Sequence, residues 1–444
     1  MTGSEDHELP RNVLIISAEM GEGHNAAAAA LTETIKECWP GCVVKQFDTM
    51  ELRGHRFAKV ARWSYGFQLN VWPWSYEAFY SVLSRSQGFA DRSRSIVGAF
   101  FGPRLDKGMR GLQPDVVIST YPFGSGALDW LRRKRGLDAL TVTYIPAFHV
   151  HPLWAYKGID MHFVMYDTAA EHALLPGLEG SLRVGAPPVR KGFGEVGRDE
   201  ARERLGLAAE EFVVLVTGGA WGLGAIADGV ESLVRLDGPP LHVVAVCGKN
   251  AQLEARARAL ESVGRDRLTV FGYISNMPEM MAAADVVVTN GAGVTVLEAL
   301  RTPRPVVAFA PLAGHGIAST KEMVGRHLAV EAHTVAELTA QVRRLRTDND
   351  WLRTMEHAGE QWVRGRDLRK SVREIEVEWV ARGKRTAKAA DLGAARPPAS
   401  GSRPPGSPAR DAPDSPTPGT PAPGTPTPET GHFDAPPGAY VARS

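Results

Sequence analysis

Cysteine is scarce, net charge is almost nil and no long apolar run is present; each scarcity removes a class of explanation. Three cysteines among 444 residues, Cys38, Cys42 and Cys247, cannot build a disulfide framework. Cys38 and Cys42 also lack a second pair or neighbouring histidines at ligand spacing, so free thiols are expected and no metal site. A formal net charge of +1 excludes a chain that binds nucleic acid through its overall field. The longest stretch without Asp, Glu, Lys or Arg runs from Ala139 to Tyr156. It holds Pro146, His149, His151 and Pro152, and reads as a strand entering a loop, not a bilayer span. The opening residues, MTGSEDHELPRN, are polar and acidic with no secretory pattern, so a cytoplasmic protein is expected.

What is present is a chain long enough for two domains, with 43% hydrophobic residues to fill two cores. Eight short apolar runs recur, at Val13–Ile16, Asp115–Ser119, Ala139–Ile145, Met161–Met165, Phe212–Thr217, Leu241–Cys247, Asp285–Thr289 and Pro305–Ala310. Runs without polar alternation suit strands covered on both faces, as in parallel sheets, and helical or loop segments separate most of them. The expected class is therefore α/β, with two doubly wound domains facing a cleft. GAPPVRKGFGEVGR, from Gly185 to Arg198, is poor material for either element and marks a seam. The expected layout is a first domain at 11–185, a second at 186–347, and a charged helical extension at 348–384 packed along the outside. From 385 to 444 a tail follows that is rich in proline, glycine and serine, with fourteen of the 31 prolines between Pro397 and Pro437. Such a segment cannot bury enough apolar surface to offset its ordering entropy, and disorder is expected.

Three strand-to-helix turns carry clustered glycines. The first includes Gly21, Gly23, His24 and Asn25 ahead of an alanine-rich helix from Ala26. His24 has the right chemistry to take a proton from a hydroxyl, and would equally serve to cap the helix. The second includes Gly218 and Gly219, which suit a phosphate cradle or simply a tight turn; the lysine of a P-loop is missing. The third includes Gly291, Gly293, Thr295 and Glu298. Glu298 could accept from two ribose hydroxyls, or could favour its own helix N-terminus. His149 and His151 share a strand face, yet no third metal ligand lies nearby, and ordinary loop histidines fit better.

Between Phe57 and Tyr80 there are nine aromatic residues, and from Glu51 to Arg110 ten Lys/Arg stand against four Asp/Glu. Trp63, Trp72, Trp74, Arg56, Lys59 and Arg62 suit docking on an anionic membrane, since indole prefers the headgroup region and cations are drawn to acidic lipid. Core packing and a single-strand nucleic-acid platform are competing readings of the same composition; no nucleic-acid partner is expected.

GEGHNAAAAAL (21–31) and FGYISNMPEMMAAADVVVTNGAGVTVLEAL (271–300), supported by STYPFGSGAL, HPLW and CGKN, resemble the lipid glycosyltransferases related to monogalactosyldiacylglycerol synthase and diacylglycerol glucosyltransferase. That group is similar to the enzyme adding N-acetylglucosamine in lipid II formation. The resemblance spans roughly residues 11–345. It implies a GT-B fold of two Rossmann-like domains, and an inverting, metal-independent transfer of a hexose from a UDP-sugar, with no cofactor, to a lipid acceptor such as diacylglycerol. It places Ile274 by the uracil, Glu298 on the ribose, Gly218, Gly219, Gly293 and Thr295 around the diphosphate, Gly291 and His315 among the donor-binding residues, and His24 as the base. The protein would be peripheral on the inner face of the cell membrane. The sequence departs from the pattern at His315, where a glutamine touching the sugar is usual, and at Ala220-Trp221. It also has Tyr144 or Ile145 where an aspartate is usual. A transferase for a soluble acceptor, and a silent relative that only binds nucleotide-sugar or lipid, are the alternatives. A UDP-sugar epimerase shares the fold but not the GEGH loop.

Overall fold

In the computed structural model, residues 9–394 are described apart from 167–177 and Ala292. The expected disordered tail lies, beyond Ala394, outside the described residues. Two six-stranded parallel sheets organise the rest. The first contains β1 (Asn12–Ser17), β2 (Val43–Asp48), β3 (Val116–Ser119), β4 (Leu140–Tyr144), β5 (Met161–Val164) and β6 (Leu182–Val184), in the order β2-β1-β3-β4-β5-β6. The second contains β7 (Phe212–Thr217), β8 (Leu241–Val246), β9 (Leu268–Phe271), β10 (Val286–Thr289), β11 (Val306–Phe309) and β12 (Ala329–Ala332), in the order β12-β11-β10-β7-β8-β9. Strand order reverses between β1 and β3 and again between β7 and β10. Crevices in doubly wound sheets open at such points, beyond the carboxyl ends of the strands.

The first half carries α1 (Gly23–Cys38), α2 (His55–Val71), α3 (Pro73–Arg85), α4 (Gln87–Met109) and α5 (Pro122–Arg135). The second carries α6 (Arg198–Leu205), α7 (Ile226–Val234), α8 (Ala251–Arg258), α9 (Glu261–Gly264), α10 (Met277–Ala283), α11 (Val294–Arg301), α12 (His315–Val324), α13 (Val335–Thr347) and α14 (Asn349–Val363). A last helix, α15, spans Leu368–Ala394. No helix among the described residues is long and apolar enough to cross a membrane.

The eight apolar runs are the eight interior strands of the two sheets. The four strands that the runs do not reveal, β2, β6, β9 and β12, are the four edges. An edge strand is covered incompletely, so its sequence keeps polar positions; VVKQFD in β2 is exposed or half-exposed throughout.

Three local differences from expectation have simple causes. Helix α1 starts at Gly23 and not Ala26, because Glu22 turns the chain with a left-handed φ of 64° directly before it. His24 and Asn25 are therefore first-turn residues. Helix α15 runs to Ala394, past the expected boundary at 384, through an alanine-rich segment of high helix propensity. Nor does this extension merely line the outside. α15 returns to the first half, where Val372 and Ile375 are fully buried. Trp39 Nε1–H donates to Glu376 at 2.9 Å, and Arg382 pairs with Asp160 and Asp138 at 3.1 and 3.2 Å.

Tyr144 explains one departure of the sequence pattern. Its hydroxyl donates to the Ala186 carbonyl at 2.6 Å and lies 3.1 Å from the Ser371 hydroxyl, which accepts from the Ala186 amide. The residue ties β4 to α15 inside the core and does not reach the cleft. Replacing it tests that tie. Tyr144→Phe is expected to destabilise the protein by about 1–2 kcal/mol in urea unfolding, the cost of leaving a buried carbonyl without its donor.

Candidate active site

Carboxyl ends of both sheets face one cleft, which holds two adjoining cavities. The larger, about 770 Å³, is walled by α2–α4 aromatics, by His24, His149, His151 and His315, and by the glycine loops after β7 and β10. The smaller, about 280 Å³, lies between the first turn of α1 and the face formed by Tyr273, Ile274 and Glu298. Gly21, Gly23, Gly219 and Thr295 line both, so the two spaces meet at the glycine loops.

His24 is held by its ring. Nδ1 lies 2.7 Å from the Thr120 carbonyl, and the Thr120 hydroxyl donates back to the His24 carbonyl at 3.0 Å. A carbonyl can only accept, so Nδ1 carries the proton and a neutral ring keeps its lone pair on Nε2. Tyr121 stands edge-on at 4.9 Å between ring centroids and Trp154 lies at 6.0 Å. Burial lowers the His24 pKa to about 4, against the Thr120 bond, and nearby His315 lowers it further. Burial likewise lowers His315 to about 4 and His151 to about 3. His151 is also committed, since its Nδ1 accepts from the Leu153 amide at 3.2 Å. His24, His151 and His315 therefore enter neutral-pH chemistry uncharged. Among the described residues no group of three or more His, Cys, Asp or Glu could hold a metal ion.

The two glycine loops of the second half are built alike. β7 and β10 pair in register through Thr217 and Thr289. Each threonine hydroxyl accepts from the amide two residues on, Gly219 or Gly291, at 3.2 Å. Asn290 then joins the loops, donating from Nδ2 to the Leu223 carbonyl at 2.5 Å. Gly224 must remain small here, because a Cβ would sit 2.5 Å from that same nitrogen. Amides and helix N-termini gathered this way suit a diphosphate. Beside them Glu298, one turn into α11, is 7% exposed. Burial pushes it up to about 8, with the Arg190 guanidinium opposing.

Residues 24–184 match the family model for monogalactosyldiacylglycerol (MGDG) synthase, and residues 213–364 match that for the glycosyltransferase family 28 C-terminal domain. Both matched models describe glycosyltransferases, one over each half of the chain. The transferase is similar to the processive diacylglycerol beta-glucosyltransferase of Bacillus licheniformis, 26% identical over 348 residues covering 78% of this chain and 89% of the relative. Its likeness to the Bacillus subtilis protein of the same description is 27% over 356 residues, with the same coverage. Among solved structures, Acinetobacter baumannii MurG superposes with a TM-score of 0.54 at 17% identity, covering 83% of this chain and all of that one. The calicheamicin glycosyltransferase CalG4 gives 0.54 at 13%, covering 84% and 98%. These likenesses show the GT-B fold.

The transferase brings most of the sequence-derived residues into the cleft. His24, Gly218, Gly219, Gly291, Gly293, Thr295 and His315 line the larger cavity; Ile274, Glu298 and Asn25 line the smaller. Trp221, in the altered phosphate loop, faces the larger cavity with Tyr65 6.2 Å away. The aromatic stretch divides in two. Trp63, Trp72 and Trp74 are 67, 56 and 71% exposed, and Arg56 and Lys59 are exposed with them. Tyr65, Tyr76 and Tyr80 turn inward to the cavity. Arg62 does not join the outer group. Its side chain is 17% exposed and pairs with Glu19 at 3.0 Å and Glu51 at 3.1 Å, so its charge is spent within the fold.

Two residues escaped the sequence reading. Arg190, inside the seam, lines the smaller cavity, and its Nε is buried with no hydrogen-bond partner among the described residues. Lys249 reaches from the second half to Glu22 at 2.5 Å, securing the strained turn before His24. The GAPPVR arginine and the CGKN lysine were visible as letters, but only folding brings them to the cleft.

Glu298 generates a prediction about pH. Its folded pKa of about 8 exceeds its ordinary 4.5, so folding favours the protonated form. Its stabilising contribution is complete below pH 4.5 and is lost as pH rises towards 8. Glu298→Gln is expected to flatten that decline, giving a melting temperature at pH 8 above that of the unsubstituted protein. A variant whose melting curve tracks the parent's across this range would show that Glu298 is not the buried titrating group.

Proposed function

We propose that this transferase moves a hexose from a UDP-sugar to a lipid hydroxyl, with diacylglycerol the acceptor indicated by its relatives' names. The reading includes inversion, no requirement for metal or cofactor, and work done by a peripheral protein on the inner face of a cell membrane. The observation that carries it is the place of His24: tautomer-fixed, neutral, and on the wall between an aromatic cavity and paired glycine loops.

The steps follow from that place. The lipid hydroxyl enters the larger cavity, with its apolar part along Leu69, Phe79, Phe100 and Phe101. His24 Nε2 takes the hydroxyl proton as the oxygen attacks the anomeric carbon. The bond from that carbon to the diphosphate oxygen breaks, and the electron pair leaves with UDP. A single in-line displacement inverts the anomeric centre. Amides of the Gly218–Gly219 and Gly291–Gly293 loops, with the α11 N-terminus, meet the charge growing on the leaving diphosphate. Glu298 accepts from the ribose hydroxyls, Ile274 packs on the uracil, and Arg190 supplies positive charge from the seam. His315 faces the sugar. A pKa near 4 makes His24 a weak base, and the bond from its Nδ1–H to the Thr120 carbonyl is what favours the imidazolium formed on proton uptake. Trp63, Trp72 and Trp74, with Arg56 and Lys59, seat the protein on anionic lipid.

The test is transfer of labelled hexose from a panel of UDP-sugars to diacylglycerol in anionic vesicles, with EDTA present. Labelled glycolipid of inverted configuration is expected. His24→Ala should lower kcat about 10²- to 10⁴-fold while the donor KM stays within about threefold. Near-normal turnover in that variant would remove His24 as base. A separate readout is vesicle sedimentation. Trp72→Ala with Trp74→Ala should weaken binding to anionic vesicles several-fold, and unchanged binding would take the docking role from this face.

A further inference from the structure

Helix α3 presents aromatic residues outward, but its inner face is pressed on the second half of the molecule. The contact is with the loop Pro311–His315, which links β11 to α12. Gly314 in that loop has φ 72° and ψ −114°, and a Cβ there would sit 2.5 Å from the Tyr76 ring. The Tyr76 ring stands edge-on to His315, 6.3 Å between centroids. Next to it, the Glu77 carboxylate accepts a hydrogen bond from the Gly314 amide at 2.5 Å. That amide belongs to the first residue before α12, where an N–H has no partner within the helix and a negative charge is favoured.

The far side of the loop is fixed from its own half. Leu312 N–H donates to the Asn290 carbonyl at 3.2 Å, and Ile317 N–H to the Leu312 carbonyl at 3.0 Å. Asn290 belongs to the glycine loop after β10. The segment bearing His315 is thus held at one end by the second half and at the other by a carboxylate of the first. Across the halves Glu77 gives Gly314 its hydrogen bond, and the Tyr76 and Tyr80 rings pack against the same residue, whose glycine backbone would otherwise have wide freedom.

We infer that Glu77 is a positioning residue for the donor sugar: it holds the Pro311–His315 loop so that His315 faces the cavity. Glu77 touches no substrate. It acts through the Gly314 amide, and because it stands on the helix that follows Trp72, it ties the seating of the aromatic pair α2–α3 to the donor side. This inference rests on the transferase reading and on the sugar lying by His315.

Glu77→Ala and Glu77→Gln decide it. The glutamine carbonyl can still accept from the Gly314 amide, while alanine cannot. A lost hydrogen bond to a charged group corresponds to about tenfold or more. Donor kcat/KM should therefore fall about tenfold in Glu77→Ala and recover to within about threefold in Glu77→Gln, with melting temperatures of both within a few degrees of the parent. Calorimetric titration should show the alanine loss for UDP-glucose and not for UDP alone. Parental donor kinetics in Glu77→Ala would overturn the inference. So would equal impairment of both variants in step with a falling melting temperature, since that is the mark of a merely structural contact. If the parent transfers no sugar, the transferase reading fails by itself. Equal UDP-glucose affinity in the parent and Glu77→Ala would then reject the role of Glu77 independently.

Discussion

The 2.7 Å hydrogen bond from His24 Nδ1 to the Thr120 carbonyl organises the cleft. It joins the first turn of α1 to the end of β3, across the point where strand order in the first sheet reverses. The hydroxyl of Thr120 returns a bond to the His24 carbonyl, so ring and backbone are fixed from one residue. One lone pair is thereby aimed into the cavity, and burial keeps it unprotonated at neutral pH. Much of the rest supports this arrangement. Ser17 donates to Asn25 Oδ1 at 2.7 Å, Gln46 donates to Ser17 at 2.9 Å, and Lys249 steadies Glu22 from the opposite half.

Placing several neutral imidazoles in one enclosed space also has an electrostatic logic. His24, His149 and His315 each depress the charging of a neighbour, in addition to the burial that dominates at His24, His151 and His315. Among the described residues, a proton arriving at one of them finds no carboxylate in a salt bridge with it, and aromatic rings and backbone groups line the cavity. Charge created during a reaction is then felt strongly by the glycine-loop amides, because little solvent screens it.

What the sequence made legible was what the backbone itself demands. Interior strands covered on both faces read as apolar runs, and glycine-rich turns read as glycine because only small residues allow Gly224 or Gly314 their neighbours. Edge strands such as β2 did not show, since half-exposure restores ordinary polar residues. Arg62 was assigned to the outer surface because composition counts charges without their partners, and its partners Glu19 and Glu51 lie on other elements. Arg190 and Lys249 were missed for the same reason: their meaning depends on contacts made across the cleft.

The path of the chain between its halves has a mechanical consequence. It crosses once through Gly185–Gly197 and again between α14 and α15, at Arg364–Asp367. Arg366 spans the two passages, donating from Nη1 to the carbonyls of Met165 at 2.6 Å and Gly185 at 3.2 Å. Two covalent passages riveted side by side act as the pins of a door. Any change in the angle between the halves has to be absorbed by backbone dihedrals within these two short passages. Groups close to the passages would be displaced least by such a change, and groups at the mouth of the cleft most.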